Sequence, residues 1–283
     1  MTRNGFTGWR RLAALGAVAL VALAACGNDG GGNGGGNGSG NGNGNGNGGV
    51  STEDGTTRVD PTDVATQIDS IPLATLTDDE VAGLVWMREE EKLARDVYTT
   101  LGEQYDLRIF DNISSAEQTH MDSVLVLLER YGITDPVAGK GVGEFTDPTM
   151  QGLYDQLVAA GSESLVAALA VGAEIEELDI VDLRDRATGT ADIALVYGNL
   201  ERGSRNHLRA FTRQLGNNGA TYTPTHLSQA DFDAIVERMR TGSLTLRLMD
   251  KAACGSRRWR FVRRLRGHGA GRCGCAKIRC GRG

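Results

Sequence analysis

Glu117 and His120 stand three residues apart in the stretch NISSAEQTHMDSVLVLLERYG, residues 112–132. Around them Ile113, Ala116, Val124, Leu127, Leu128 and Tyr131 recur at spacings of three and four, which predicts an amphipathic helix. Both polar residues fall on the apolar stripe, and a spacing of i, i+3 projects them toward one point. Burying one unpaired carboxylate is costly, and several close together are worse through like-charge repulsion. A cation reverses that sign, because carboxylates and neutral imidazoles are ligands for iron, manganese or zinc. Taken alone, each residue also has a local explanation. SSAE reads as a capping box, with Ser114 capping and Glu117 reaching back to its N–H, and a single His120 reads as a core imidazole.

Three other segments share the trait. LTDDEVAGLVWMREEEKLARDVYTTLGEQY carries Leu84, Met87, Glu91, Ala94, Tyr98, Leu101 and Tyr105 on one stripe. Thr77 is its expected N-cap, with Glu80 at N3 and Leu76 stapled onto Val81. ESLVAALAVGAEIEELDIVDLRDRA carries Leu165, Leu169, Gly172, Glu176, Ile180 and Leu183; DIALVYGNLERGSRNHLRAFTRQLG carries Ile193, Val196, Leu200, Ser204, His207 and Phe211. Glu176 is preferred over Glu177 because its neighbours seven residues away are Leu169 and Leu183, against Ala170 and Arg184. Individually, Glu91 reads as part of a solvated Glu run and His207 as a core residue. Acid or imidazole on all four stripes together points to a metal site.

These elements order the rest of the chain. DLRIFDN breaks the first long helix from the second, which Gly132 closes. GITDPVAGKGVGEFTDPT is a Gly- and Pro-punctuated loop. Its GKGVG lacks a following Ser or Thr and a preceding strand, so it is not a phosphate loop. MQGLYDQLVAAG predicts a short helix, with Ser162 placed to cap the next, and SQADFDAIVERMRTG predicts another from Ser228. No run of alternating strand pattern is evident. The reading is all-α, with four long helices and two short ones. His226 and His268 lie on no stripe and are expected to be uninvolved.

EEEKLARDVY followed by AEQTHMDSVLVLLERYG resembles the first helix pair of ferritin-like proteins, in which a bridging Glu precedes a Tyr by seven residues and the next helix carries Glu-x-x-His. Glu91, Tyr98, Glu117 and His120 match those positions. With GAEIEELDIVDL and NLERGSRNHLRAF, the pattern over roughly residues 76–215 is similar to an uncharacterised ferritin-like family, the DUF2202 domain. The resemblance implies a ferritin-like four-helix bundle with two short extra helices. It implies a carboxylate-bridged di-iron (or manganese) centre on Glu91, Glu117, His120, Glu176 and His207, with Tyr98 and Ser204 beside it. Redox work on oxygen, peroxide or ferrous ion is the implied class. One departure stands out: a full di-iron site repeats Glu-x-x-His in the fourth helix, whereas this chain reads SRNH, with Ser204 in place of Glu. Glu201, one position off the stripe, is an alternative ligand there, as Glu177 is in the third helix. Ser204 also favours an alternative class, a non-catalytic metal-binding or cell-envelope interaction module.

Both ends of the 283-residue chain differ from this domain. Residues 1–25 read as a secretory signal, with basic Arg3, Arg10 and Arg11 ahead of an apolar run. The LAAC ending resembles a bacterial lipobox, which implies lipid on Cys26 and an extracytoplasmic, membrane-anchored protein. Residues 26–59 are the lipidated Cys and a Gly- and Asn-rich linker, of which the almost pure Gly and Asn stretch 27–50 is a coil reaching about 25–30 Å. Residues 60–250 are the expected domain, free of Cys. Residues 251–283 hold nine Arg, two Lys and no acid; removing those eleven charges from the whole-chain −6 leaves −17 on residues 1–250, which argues against nucleic acid as a partner. The tail, with Cys254, Cys273, Cys275 and Cys280, reads as a metal or disulfide knot, a basic arm, or, the favoured account, the product of a shifted reading frame.

Overall fold

The computed structural model describes residues 50–53, 56–187 and 189–237. The expected signal peptide, Cys26, the Gly- and Asn-rich stretch to residue 49 and the basic tail lie outside the described residues. Among the described residues no helix is long and apolar enough to cross a membrane.

Four long helices make the bundle: α2 (Asp78–Tyr105), α3 (Arg108–Arg130), α5 (Leu165–Arg186) and α6 (Ala191–Asn217). α2 pairs with α3 and α5 with α6, and the two pairs close on each other through α2 against α5 and α3 against α6. The shorter α4 (Pro148–Gly161) lies on α5 and α2, while α1 (Pro61–Asp69) lies on α3 and α6. Residues 229–237 form a further helical stretch. The fold is the expected all-α bundle, with α1 as an added element.

Local chemistry sets most of the boundaries. Thr77 and Glu80 form the expected capping box at the start of α2. Asp106 ends α2 in the left-handed region at φ 48°, and two residues later the chain is helical again. The break expected over DLRIFDN is therefore confined to Asp106 and Leu107. Ile109, Phe110 and Ile113 are buried on the bundle, and their packing draws the helix start upstream. That start removes the SSAE capping box: Ser114, inside α3, donates to the Asp111 carbonyl instead. Ser164 rather than Ser162 caps α5, accepting from Ala167 N–H.

A short hairpin accompanies the helices without altering the all-α class. β1 (Val50–Glu53) pairs antiparallel with β2 (Thr56–Val59), inside the stretch expected to be linker. β2 packs on α3 and α6, and Val59 and Thr57 are fully buried. Val59 N–H donates to Thr119 Oγ1 on α3 at 3.2 Å.

Close helix approach depends on Gly172 of α5. A Cβ there would lie 2.5 Å from the Phe211 ring, which is itself held between Tyr98 and Phe110 at centroid distances of 5.1 and 5.8 Å. Gly172→Ala gains helix propensity worth about 1 kcal/mol but overpacks a ring with nowhere to retreat, at about 1–3 kcal/mol. The net expectation is a destabilised bundle, read as a lower urea midpoint with an unchanged slope.

Candidate metal centre

Five of the stripe residues meet at the centre of the bundle. Glu91 comes from α2, Glu117 and His120 from α3, Glu176 from α5 and His207 from α6, all of them buried. Glu117 stands in the middle with its two oxygens divided. Oε2 is 2.7 Å from His120 Nδ1, and Oε1 is 2.7 Å from His207 Nδ1. Glu91 Oε2 flanks His120 Nδ1 at 3.3 Å, and Glu176 Oε2 flanks His207 Nδ1 at 3.4 Å. The two imidazoles stack with centroids 5.4 Å apart. Gly203 makes room for the pair, since a Cβ there would run into the His120 ring. The arrangement is nearly symmetric, with one shared carboxylate between two carboxylate–imidazole arms.

Several atoms of the cluster lack an aligned hydrogen bond. His120 Nδ1, His207 Nδ1 and Glu117 Oε1 are close to their neighbours but have no aligned hydrogen bond, and Glu91 Oε1 has none either. On the far side of His207, Nε2 lies 3.2 Å from the Thr57 carbonyl, which can only accept. That contact puts a ring proton on Nε2, so Nδ1 faces Glu117 and Glu176 either with a second proton or with a lone pair free for a cation. Lone pairs facing carboxylates repel unless a proton or a cation lies between them. Glu117, His120 and His207 each offer a ligand atom, and these atoms lie within 4.8 Å of one another. The donor set therefore suits a divalent metal.

The electrostatics carry the same signature. Burial pushes the Glu91 and Glu176 carboxyls up, with the neighbouring imidazoles opposing that rise. For Glu117, burial is outweighed by His120 and His207, which hold it well below the usual carboxylate range. For both imidazoles burial is outweighed by the carboxylates, and they are raised. Tyr98, buried on α2, donates to Glu176 Oε1 at 2.7 Å and lies 3.3 Å from the Gly172 carbonyl. Burial and the nearby Glu176 keep its phenol protonated.

Glu177 and Glu201, the alternative ligands, are directed elsewhere. Glu177 is buried but one residue, or about 100°, further round α5. It accepts from Tyr222 Oη at 2.6 Å, Thr225 N at 3.0 Å and His226 N at 2.6 Å, and so holds the segment after α6. Glu201 faces outward to Arg184 at 2.8 Å and Arg205 at 3.3 Å. The His226 ring lies 3.7 Å from Glu174. Ser204 is buried, donating to Asp179 Oδ2 and lying 3.0 Å from the Leu200 carbonyl.

The Glu89–Glu91 run is not a solvated face. Successive helix residues point about 100° apart, and each Glu meets a different element. Glu89 accepts from Thr146 N and Asp147 N at the start of α4, Glu90 neighbours Asp182 of α5, and Glu91 faces His120. The GKGVG loop is likewise structural: Lys92, buried over the Phe145 ring, donates to the Gly141 carbonyl at 2.7 Å and to Asp96.

Thr57, which contacts His207, and Asp179, which accepts from Ser204, are the residues that the stripes passed over. Asp179 stands at i+3 from Glu176, the spacing that singled out His120, but Ile180 fills the stripe beside it. For Thr57 the available signal was the Asp54–Gly55 dipeptide, a hairpin marker between two short segments.

Known proteins share this chain's sequence and fold. Residues 80–239 match the family model described as an uncharacterised protein domain, DUF2202. The uncharacterised protein MJ0754 of Methanocaldococcus jannaschii is 50% identical over 171 residues, covering 60% of this chain and 92% of that protein. The crystal structure of hypothetical protein MJ0754 superposes with a TM-score of 0.58, covering 59% of this chain and 97% of that one.

Proposed function

Because this chain belongs to the DUF2202 family, described only as uncharacterised, we propose a function from the site itself: a ferritin-like protein with a dinuclear metal centre. The observation that carries the reading is Glu117, whose two oxygens each stand 2.7 Å from a different imidazole nitrogen without an aligned hydrogen bond. Glu91 and His120 would hold one ion, Glu176 and His207 the other, with Glu117 shared between them. Iron or manganese suits the oxygen- and nitrogen-rich donor set. A redox-active pair bound there would supply electrons to an oxidant such as dioxygen or peroxide.

The chain's own residues perform the rest. The fully buried walls exclude bulk water. Thr57 fixes the His207 tautomer, and Tyr98 holds Glu176 by one oxygen while leaving the other directed at His207. The signal sequence and Cys26 support a lipid-anchored place on the extracytoplasmic face of the membrane.

Ser204 supports the second reading, a centre that binds metal without turnover. Ferrous ion added anaerobically to the full chain, followed by oxygen, separates the two. The redox reading expects bound iron to be oxidised faster than free ferrous ion under the same conditions. Bound iron oxidised no faster than free ion leaves the binding module, and absence of bound iron together with absence of bound Mn(II) in a parallel titration removes both.

A further inference from the structure

We propose that Asp179 supplies the carboxylate that α6 lacks, as an additional ligand of the buried centre oriented by Ser204. This rests on the metal reading above. α3 presents Glu117 and His120 at i, i+3, whereas α6 presents Ser204 and His207 at the same spacing. Ser204 thus occupies the place where a matching carboxylate would sit, and its hydroxyl donates to Asp179 Oδ2. Asp179 is in turn three residues from Glu176 on α5, so it follows Glu176 along one helix face. A carboxylate is present at the vacant position of the pattern, delivered from the neighbouring helix.

Two further observations favour a ligand over a structural filler. Asp179 is buried, yet its Oδ1 has no hydrogen-bond partner. A buried acceptor left unmet costs about 1–3 kcal/mol, which a cation would offset. It follows Glu176 by three residues on α5, and Glu91 and Glu176, the outer carboxylates of the two arms, are among the acids whose charge acts on it. Like charges gathered this way repel unless protons or a cation neutralise them, and one divalent ion can serve several carboxylates at once. Serine suits the supporting role. Its single proton goes to Asp179 while Leu200 O lies 3.0 Å away, so the hydroxyl is fixed in rotation and the carboxylate with it.

Mn(II) titration of the full chain tests this, with metal content by elemental analysis and exchange coupling by electron paramagnetic resonance. The wild type is expected to bind a coupled pair. Asp179→Asn keeps shape and hydrogen bonding but loses the anionic ligand. It is expected to retain one ion and bind the second at least about tenfold more weakly, without coupling. The swap Asp179→Ser with Ser204→Glu moves the carboxylate onto α6 and is expected to restore the pair. Circular dichroism and urea midpoints establish that each variant is folded. An Asp179→Asn protein that binds the coupled pair with wild-type affinity overturns the proposal. A wild type that binds a single ion, or a folded swap variant that fails to regain the pair, also overturns it. A wild type that binds no Mn(II) removes the metal reading itself.

Discussion

Glu117→Ala is expected to empty the centre of both ions, weakening metal affinity by more than about 100-fold, the upper end of what losing even an outer-shell partner costs. The reason is positional. Glu117 alone contacts both imidazoles, through one oxygen each, whereas Glu91 and Glu176 each contact one. Glu91→Ala and Glu176→Ala should therefore each weaken one ion and spare the other. The metal-free protein should suffer as well. Near neutral pH Glu117 is the charge that keeps His120 and His207 protonated inside the bundle, and removing one partner of a buried pair costs about 3–5 kcal/mol. Isothermal titration with Mn(II) and urea melts of the apo form measure the two effects separately. Retained binding of both ions in Glu117→Ala would be incompatible with a shared carboxylate.

The second large effect is a pH dependence that metal reverses. In the metal-free protein Glu91 and Glu176 are raised from the usual 4.5 to about 7, and His207 from 6.5 to about 9. Groups raised on folding bind protons more tightly in the native state. Their contribution is complete below the unfolded values and is lost as pH rises through the folded ones. Apo stability should accordingly decline from about pH 5 to pH 9, by on the order of 3 kcal/mol for each carboxylate. Glu117 runs the other way: depressed in the folded state, it contributes above the usual carboxylate value and withdraws support only in stronger acid. Metal competes with these same protons, so its affinity climbs over the window in which the apo protein weakens. Thermal melts with and without Mn(II) at several pH values should show a stabilisation that widens from pH 5 to 9. A gap that stays constant would mean the cation sits elsewhere.

Much of this arrangement is legible in the sequence because buried polar residues break an otherwise apolar stripe. Glu91, Glu117, Glu176 and His207 each interrupt a largely apolar stripe at helical spacing, and those stripes fold into four packed helices. Capping chemistry was readable where it agreed with packing, as at Thr77, and misleading where packing overrode it. Ser114 has the form of a cap, yet burial of Ile109 and Phe110 starts α3 six residues earlier, at Arg108. The Glu run was opaque for a different reason. Its three members look alike in one dimension, and only the bundle separates them among α4, α5 and the centre. Thr57 was beyond stripe logic altogether, because its role is played by a backbone carbonyl in a short hairpin that carries no helical period. Asp179 lay hidden because Ile180, its neighbour, satisfies the apolar pattern first.

The central claim is that a pair of metal ions shares Glu117. Anomalous diffraction from crystals of the full chain loaded with Mn(II), collected across the manganese edge, addresses it most directly. The account expects two peaks inside the bundle, one beside Glu91 and His120, the other beside Glu176 and His207, both within reach of Glu117. A bundle with no anomalous density at these residues, its imidazoles hydrogen-bonded to the carboxylates in metal-loaded solution, would contradict it.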